Sequence, residues 1–191
     1  MNLHSIFRTA ALTGAALLAT APAWSQQKLD PAQSTIAFTA RQMGVPLQGH
    51  FKQFDAQIAF DPAQLAASKI AFSVNTGSAT LGSRETDAEL PKAEWFNTAR
   101  FPQATFQSSS IKSLGSGKFE VAGQLSIKGQ GHNVVVPVTL VQTGATTLAS
   151  GTMVLKRLAY KIGDGEWADT SLVADDVQVQ FKLALTGVGK L

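Results

Sequence analysis

The carboxylates near the carboxyl terminus are the first candidates for chemistry in this sequence. A calcium loop needs carboxylates at alternate positions around a central glycine, with a distal glutamate, but position 168 is alanine. Spacing alone leaves open a carboxylate pair for glycoside hydrolysis, so a hydrolase is kept as the least favoured alternative. We interpret the segment instead as a solvated loop before the last strand, with Trp167 as a lid over the core. Five of the thirteen acidic residues lie between positions 162 and 185, namely Asp164, Glu166, Asp169, Asp175 and Asp176.

Other residue types that could hold a metal or act as a nucleophile are scarce. Only His50 and His132 occur beyond residue 25, both directly after a glycine, and the chain has no cysteine. Neither a helical histidine pair, a G-x-S-x-G elbow nor a phosphate-binding glycine loop is found. The sequence therefore predicts no enzyme, no metal and no cofactor.

The first 25 residues resemble a secretory signal peptide. A positive charge at Arg8 precedes the short apolar run TAALTGAALLAT, and small residues follow at Ala21, Ala23 and Ser25. The predicted mature domain spans 26–191. It retains fifteen basic residues against thirteen acidic ones, because Arg8 is the only charged residue removed. No basic stripe interleaves with aromatic residues, so nucleic acid is not a predicted partner.

Strict alternation of apolar and polar residues dominates the mature chain and predicts about eight strands. The clearest stretches are KFEVAGQLSIK at 118–128 and DVQVQFKLAL at 176–185. Short turns rich in Gly, Asn and Asp separate them, which favours an antiparallel meander. Pro137 suggests an edge strand or a bulge in NVVVPVTLV. Between Arg84 and Pro102 the alternation stops; we expect one or two short helical turns there, started by Pro91, with Leu90, Ala93, Trp95 and Phe96 facing inward.

Strands with one apolar face must close into a barrel or pack as a sandwich. The regular inward positions carry no charge, so a ligand inside a barrel of this size would be apolar along most of its length. The phenylalanines on these positions suit two interpretations. They fill a core, or together they line a long cavity for an isoprenoid chain.

Three motifs, in order, resemble the YceI-like family of polyisoprenoid-binding periplasmic proteins. LDPAQSTIAFTARQMGVPLQGHFKQFDAQIAFDPAQ is similar to the family's opening strand and its GxFxxFxGxIxFDP hairpin. DAELPKAEWFNTARFPQATFQSSSI is similar to its central block. YKIGDGEWADTSLVADDVQVQFKL is similar to its FGIGxGxW…VxDDVxI ending. The likeness covers nearly all of residues 29–185.

The resemblance implies an all-β, lipocalin-like antiparallel barrel that holds an isoprenoid quinone or polyprenyl phosphate in the periplasm. The expected head-group contacts are Arg41, Asn75 and Arg84. Thr86-Asp87-Ala88-Glu89 replaces the family's Arg-Asp-x-His, which argues against a head-group contact from that segment. The expected lining residues are Ile36, Phe38, Phe60, Phe72, Trp95, Phe106, Leu125, Ile127 and Phe181.

The form GEWADTSLVADDV is also similar to the subgroup found beside membrane b-type cytochromes. It implies an alternative function, an accessory subunit of such a cytochrome with a filled barrel. The expected oligomeric state is a monomer or a weak homodimer.

Overall fold

The computed structural model describes residues 27–191. The predicted signal peptide at 1–25 and the start of the mature domain at residue 26 lie outside the described residues and remain predictions. No helix within 27–191 is long and apolar enough to cross a membrane.

The described chain is built almost entirely of strands. One α-helix, α1, spans Arg84–Glu89, and four single 3-10 turns lie at Leu65–Ala67, Thr76–Ser78, Arg157–Tyr160 and Gly165–Ala168. The strands are β1 Lys28–Gln42, β2 Val45–Phe51, β3 Phe54–Ala59, β4 Lys69–Asn75, β5 Ala79–Thr80, β6 Gln103–Gly115, β7 Lys118–Ile127, β8 Gln130–Thr143, β9 Thr146–Lys156 and β10 Asp176–Thr186.

All ten strands form one antiparallel sheet in the order β3-β4-β6-β7-β8-β9-β10-β1-β2-β5. The sheet curls so far that its β3 edge meets the start of β1, where Gln27 forms a bridge with Ile58. The Gln27 amide strengthens this junction, since it donates to the carbonyl oxygen of Phe60 at 2.6 Å and accepts from its N–H at 2.9 Å. A ring of eight strands results, and β2 and β5 continue the sheet beyond β1. The prediction of an all-β antiparallel barrel with a short helix is confirmed, with ten strands where about eight were expected.

The strand register places the alternating apolar residues on the inner face. Ile36 pairs with Phe181 across β1 and β10, and Phe72 pairs with Phe106 across β4 and β6. Pro137 does not lie on an edge strand, because β8 has β7 and β9 on its two sides. The β8–β9 ladder runs from Thr143 only to Thr139, so the missing N–H of Pro137 removes no bond from it.

The segment between α1 and β6 folds partly as expected. Leu90 and Phe96 are buried and Trp95 is half-buried, but Ala93 is exposed. Pro91 does not start a helix, because α1 lies before it and ends at Glu89. A proline has no N–H to continue a preceding helix, so α1 ends here although Leu90 itself keeps helical angles (φ −55°, ψ −35°).

Candidate ligand-binding cavity

An apolar cavity of about 410 Å³ lies inside the curled sheet. It separates the buried side chains into two clusters instead of one continuous core. The closed-end cluster consists of Phe60, Ile111, Phe119, Val121, Leu140, Ala149 and Leu185. The mouth-end cluster consists of Ala79, Leu90, Phe96, Ala104, Ile127 and Tyr160.

The cavity is closed at one end and opens at the other. Leu65 and Val188 pack over the closed-end cluster, and Phe60 meets Phe119 edge to face at 5.3 Å between ring centroids. At the opposite end the lining includes the exposed side chains of Gln42, Thr86 and Glu89. The mouth therefore lies between the β1–β2 hairpin and α1.

The inward face of β10 shows how long the cavity is. Val177, Val179, Phe181, Leu183 and Leu185 all line it. Eight residue steps along a strand cover about 27 Å. With the tilt usual in barrels this corresponds to about 20 Å along the barrel axis. The shape suits a long, narrow ligand.

The structure brings all nine predicted lining residues together around this one cavity. Ile36, Phe60 and Ile127 are buried, and the other six are half-buried because their side chains border the open space. Their contact with a ligand remains a prediction. The six half-buried residues are Phe38, Phe72, Trp95, Phe106, Leu125 and Phe181.

Three strand glycines explain how large rings can line the wall. A β-carbon on Gly49 would lie 2.3 Å from the ring of Phe38, one on Gly123 would lie 2.6 Å from Phe106, and one on Gly151 would lie 2.5 Å from Phe181. Each ring therefore covers a glycine of a neighbouring strand, an arrangement that also allows the backbones to approach closely where the sheet bends. Because the rings cover the glycines, they take up less of the space at the centre.

The three predicted head-group contacts do not line the cavity. Arg41 is exposed and donates to the carbonyl oxygen of Gly44 at 3.4 Å, and Arg84 is exposed at the start of α1. The Asn75 side chain donates to Gln53 at 2.8 Å and accepts from Gly77 N–H at 2.9 Å. The structure places all three on the outside of the barrel.

Two buried cations that the sequence analysis missed hold the mouth together. Arg157 is 3% exposed; burial lowers its pKa, while Asp175 and Asp164 oppose that shift. Its five N–H groups donate, at 2.6 to 3.1 Å, to the carbonyl oxygens of Ile162, Gly163, Trp167, Val173 and Ala174.

Lys128, 6% exposed, is the second of these cations. Its ammonium group donates to the carbonyl oxygens of Glu94 and Lys161 and to the Asp164 carboxylate. Because it lies in the β7–β8 turn, it ties two mouth segments to the barrel: the segment around Glu94 and the loop from Lys161 to Asp164.

Two tryptophans, Trp95 and Trp167, lie against one another at the mouth. Trp95 and Trp167 both line the cavity, and their ring centroids are 5.5 Å apart. Trp167 therefore covers the apolar interior together with Trp95, as expected for a lid.

The acidic residues of the loop serve its own structure. Asp164 pairs with Lys128 at 3.2 Å, and Asp176 pairs with Lys156 at 2.5 Å. Asp175 accepts from Leu158 N–H at 3.0 Å, and Asp169 accepts from both the N–H and the hydroxyl of Ser171. Within residues 27–191 no group of three or more His, Cys, Asp or Glu side chains is placed to hold a metal ion.

The short helix α1 lies at the mouth, tied to the sheet by Asp87. The Asp87 carboxylate accepts from the Thr80 hydroxyl at 2.5 Å and from Leu81 N–H at 2.6 Å, which lowers its pKa and ties α1 to β5. Thr86 and Glu89 lie on the cavity side of α1, and Glu89 pairs with Lys92 at 2.6 Å. The acidic side chain at the mouth is therefore partly neutralised by a neighbouring lysine.

The chain matches a known domain family. A family model described as a YceI-like domain matches residues 27–185. The chain belongs to the YceI-like family. The resemblance that its three motifs indicated is thus confirmed.

Two solved structures resemble this YceI-like protein. BcnA of Burkholderia cenocepacia is 42% identical, with a TM-score of 0.79 over 82% of this chain and 98% of that one. A polyisoprenoid binding domain from Saccharophagus degradans has a TM-score of 0.69 over 84% of this chain and 98% of that one. At 15% identity the second likeness shows the fold alone.

Curated relatives match over shorter stretches. Protein YceI of Salmonella arizonae is 40% identical over 94 residues, which is 49% of this chain and 47% of that protein. A UPF0312 protein of Vibrio cholerae serotype O1 is 30% identical over 114 residues, which is 59% of this chain and 60% of that protein. The chain thus matches about half to three-fifths of the length of these relatives.

Proposed function

We propose that this YceI-like protein binds and carries a long isoprenoid lipid, with the chain enclosed in the barrel. The observation that carries the proposal is the long apolar cavity of about 410 Å³, closed at one end and open at the other. Apart from two indoles, its described lining has only five polar side chains: Gln42, Thr86, Glu89, Arg157 and Tyr160. Apolar surface of this extent is stabilised by an apolar ligand. The description of the Saccharophagus domain as polyisoprenoid-binding agrees with this.

The charges at the mouth favour an isoprenoid quinone over a polyprenyl phosphate. Glu89 is the exposed charged residue of the described lining, and its pair with Lys92 has no net positive charge to attract a phosphate. Arg157 also lines the cavity, but its five N–H groups are all bonded to carbonyl oxygens. A neutral head group needs no cationic partner.

The periplasm is the proposed location, on the grounds of the N-terminal sequence alone. A carrier there would shield an isoprenoid chain from water between membranes. Contact with a b-type cytochrome remains a prediction from the resemblance. The open cavity favours the carrier over the alternative of a filled barrel.

Tryptophan fluorescence tests the proposal directly. Two of the chain's three tryptophans, Trp95 and Trp167, line the cavity. Delipidated protein should therefore lose fluorescence on titration with an isoprenoid quinone, because quinones quench excited indoles at short range. Trp167→Phe should reduce the quenching amplitude, and a quinone without the chain should bind far more weakly. Lack of saturable binding by both a quinone and a polyprenyl phosphate of equal chain length would refute the carrier function.

A further inference from the structure

Tyr160 is a buried polar residue that the cavity's apolar character does not explain. It ends the 3-10 turn Arg157–Tyr160, belongs to the mouth-end cluster and lines the cavity. The side chain is 3% exposed, and His132 meets its ring edge to face at 4.9 Å between centroids. His132 is itself 2.9 Å from the carbonyl oxygen of Ala159 through Nε2. The contact with His132 thus fixes the position of the Tyr160 ring.

The Tyr160 hydroxyl has no hydrogen-bond partner within residues 27–191, whereas the polar side-chain groups of Arg157, Thr86 and Glu89 do. Every fully shielded side-chain nitrogen or oxygen of the described residues has a partner. The hydroxyl therefore reaches accessible space, and Tyr160 lines the cavity. A hydroxyl that faces an apolar cavity without a partner costs free energy unless water or a polar atom of a ligand lies beside it.

Tyr160 differs in this respect from Arg157 and Thr86. It is also more deeply buried than Trp95 and Trp167, whose indole N–H groups likewise have no partner within residues 27–191. The five N–H groups of Arg157 are bonded to the mouth loop, and the Thr86 hydroxyl donates to the carbonyl oxygen of Ser83 at 3.1 Å. Gln42 and Glu89 are exposed at the rim. Burial raises the pKa of Tyr160, so its hydroxyl keeps its proton at neutral pH and can donate it.

We infer that the Tyr160 hydroxyl donates a hydrogen bond to an oxygen atom of the ligand's head group. This rests on the proposed function and adds to it the position and chemistry of the bound head. The head group lies at the mouth end of the cavity, just inside the rim, and the isoprenoid tail runs toward the closed-end cluster. A quinone carbonyl and a phosphate oxygen share the required chemistry, whereas a plain polyprene hydrocarbon lacks it.

The test compares wild-type protein with Tyr160→Phe, which removes one oxygen and keeps the ring. Three probes of matched chain length are used: an isoprenoid quinone, a polyprenyl phosphate and the unsubstituted polyprene, the last measured by displacement of the quinone. The variant should bind an oxygen-bearing probe about fivefold to tenfold more weakly, the size of one neutral hydrogen bond. Its affinity for the polyprene should not change. The oxygen-bearing probe that shows the loss identifies the head group.

Equal weakening for all three probes would overturn the inference, because it would indicate ring packing alone. Unchanged affinity for both oxygen-bearing probes would also overturn it while leaving the carrier function intact. If wild-type protein bound none of the probes, both proposals would fail.

A second measurement does not require a variant. Tyr160 is the chain's single tyrosine, so tyrosine labelled at Cζ gives one carbon NMR signal. That signal should shift when the quinone or phosphate binds and should shift less with the polyprene. Equal shifts for the oxygen-bearing probes and the polyprene would contradict hydrogen-bond donation.

Discussion

The closed end of the cavity is packed with apolar side chains, whereas the mouth is held by two buried cations. At the closed end seven residues are each at most 9% exposed and come from six different segments of the chain. At the mouth, Arg157 and Lys128 hold loops through the carbonyl oxygens of the backbone. Apolar contacts do not depend on the direction in which two side chains meet. Each of these hydrogen bonds, in contrast, holds one particular carbonyl oxygen in place.

This difference matches what each end would do in a lipid carrier. The closed end needs only to exclude water from the tail of the ligand. The mouth must keep irregular loops in place around an opening, where few strand bonds are available to hold them. A buried guanidinium with five carbonyl partners satisfies polar groups that would otherwise be unpaired.

A large effect on stability is expected at Arg157. Arg157→Met should lower the free energy of unfolding by about 3 kcal/mol or more, because several carbonyl oxygens lose their partners inside the protein. Arg157→Lys should recover only part of this, since an ammonium group offers three donors in place of five. Arg41→Met is the matched control on the exposed outer face and should cost less than about 0.5 kcal/mol. Urea unfolding measures all three, and equal stability of Arg157→Met and Arg41→Met would contradict the role given to Arg157.

A pair of phenylalanines compares the closed end with the open part of the cavity. Phe60 is 6% exposed in the closed-end cluster, so Phe60→Ala should cost about 3–5 kcal/mol. Phe72 is half-buried at the cavity wall, and Phe72→Ala should cost less stability while weakening lipid binding by about 1–2 kcal/mol. Phe72→Trp should block the lipid and leave the delipidated fold intact. Melting and binding of each variant are measured after delipidation; equal loss of stability at both positions would indicate a filled interior.

Alternation in the sequence was enough to predict the wall of the cavity, because side chains of a strand point to opposite faces in turn. The same rule could have excluded two of the predicted head-group contacts. Arg41 is out of phase with Ile36 and Phe38, and Asn75 is out of phase with Phe72, so both belong to the outer face. Their polar side chains and positions near strand ends suggested a head-group role, whereas the strand period places both side chains outside the cavity.

The mouth could not be predicted in the same way. Arg157 and Lys128 bond mainly to backbone carbonyl oxygens, and every residue type has one, so no pattern of side chains marks these partners. Tyr160 lies in an irregular turn where no period assigns a face. The short helix α1 likewise has too few turns for its sequence pattern to show whether Arg84 lies on the side that faces the barrel.

The junction of α1 and β5 predicts a pH dependence. Hydrogen bonds from Thr80 and Leu81 lower the pKa of Asp87 in the folded protein below the value of about 3.9 for an unfolded chain. The stabilisation by Asp87 is therefore complete above about pH 4 and is lost as the pH falls through the folded pKa. Asp87→Asn should show a smaller fall in urea midpoint between pH 5 and pH 3 than wild type. Glu85→Gln, on the same helix, is the control and should keep the wild-type fall; an unchanged fall in Asp87→Asn would contradict the assignment.

The smallest expected effects are in the acidic loop that holds Asp164 and Glu166. Glu166 is exposed, so Glu166→Gln should change stability by no more than about 0.5 kcal/mol. Asp164→Asn should cost slightly more, about 0.5–1 kcal/mol, because Asp164 pairs with the buried Lys128 from a half-exposed position. Neither variant should change lipid affinity, and a chelator should leave the melting temperature of wild type unchanged. If a folded variant of either residue lost binding, or if the chelator lowered the melting temperature, the loop would have a catalytic or metal-binding role that its hydrogen bonds do not explain.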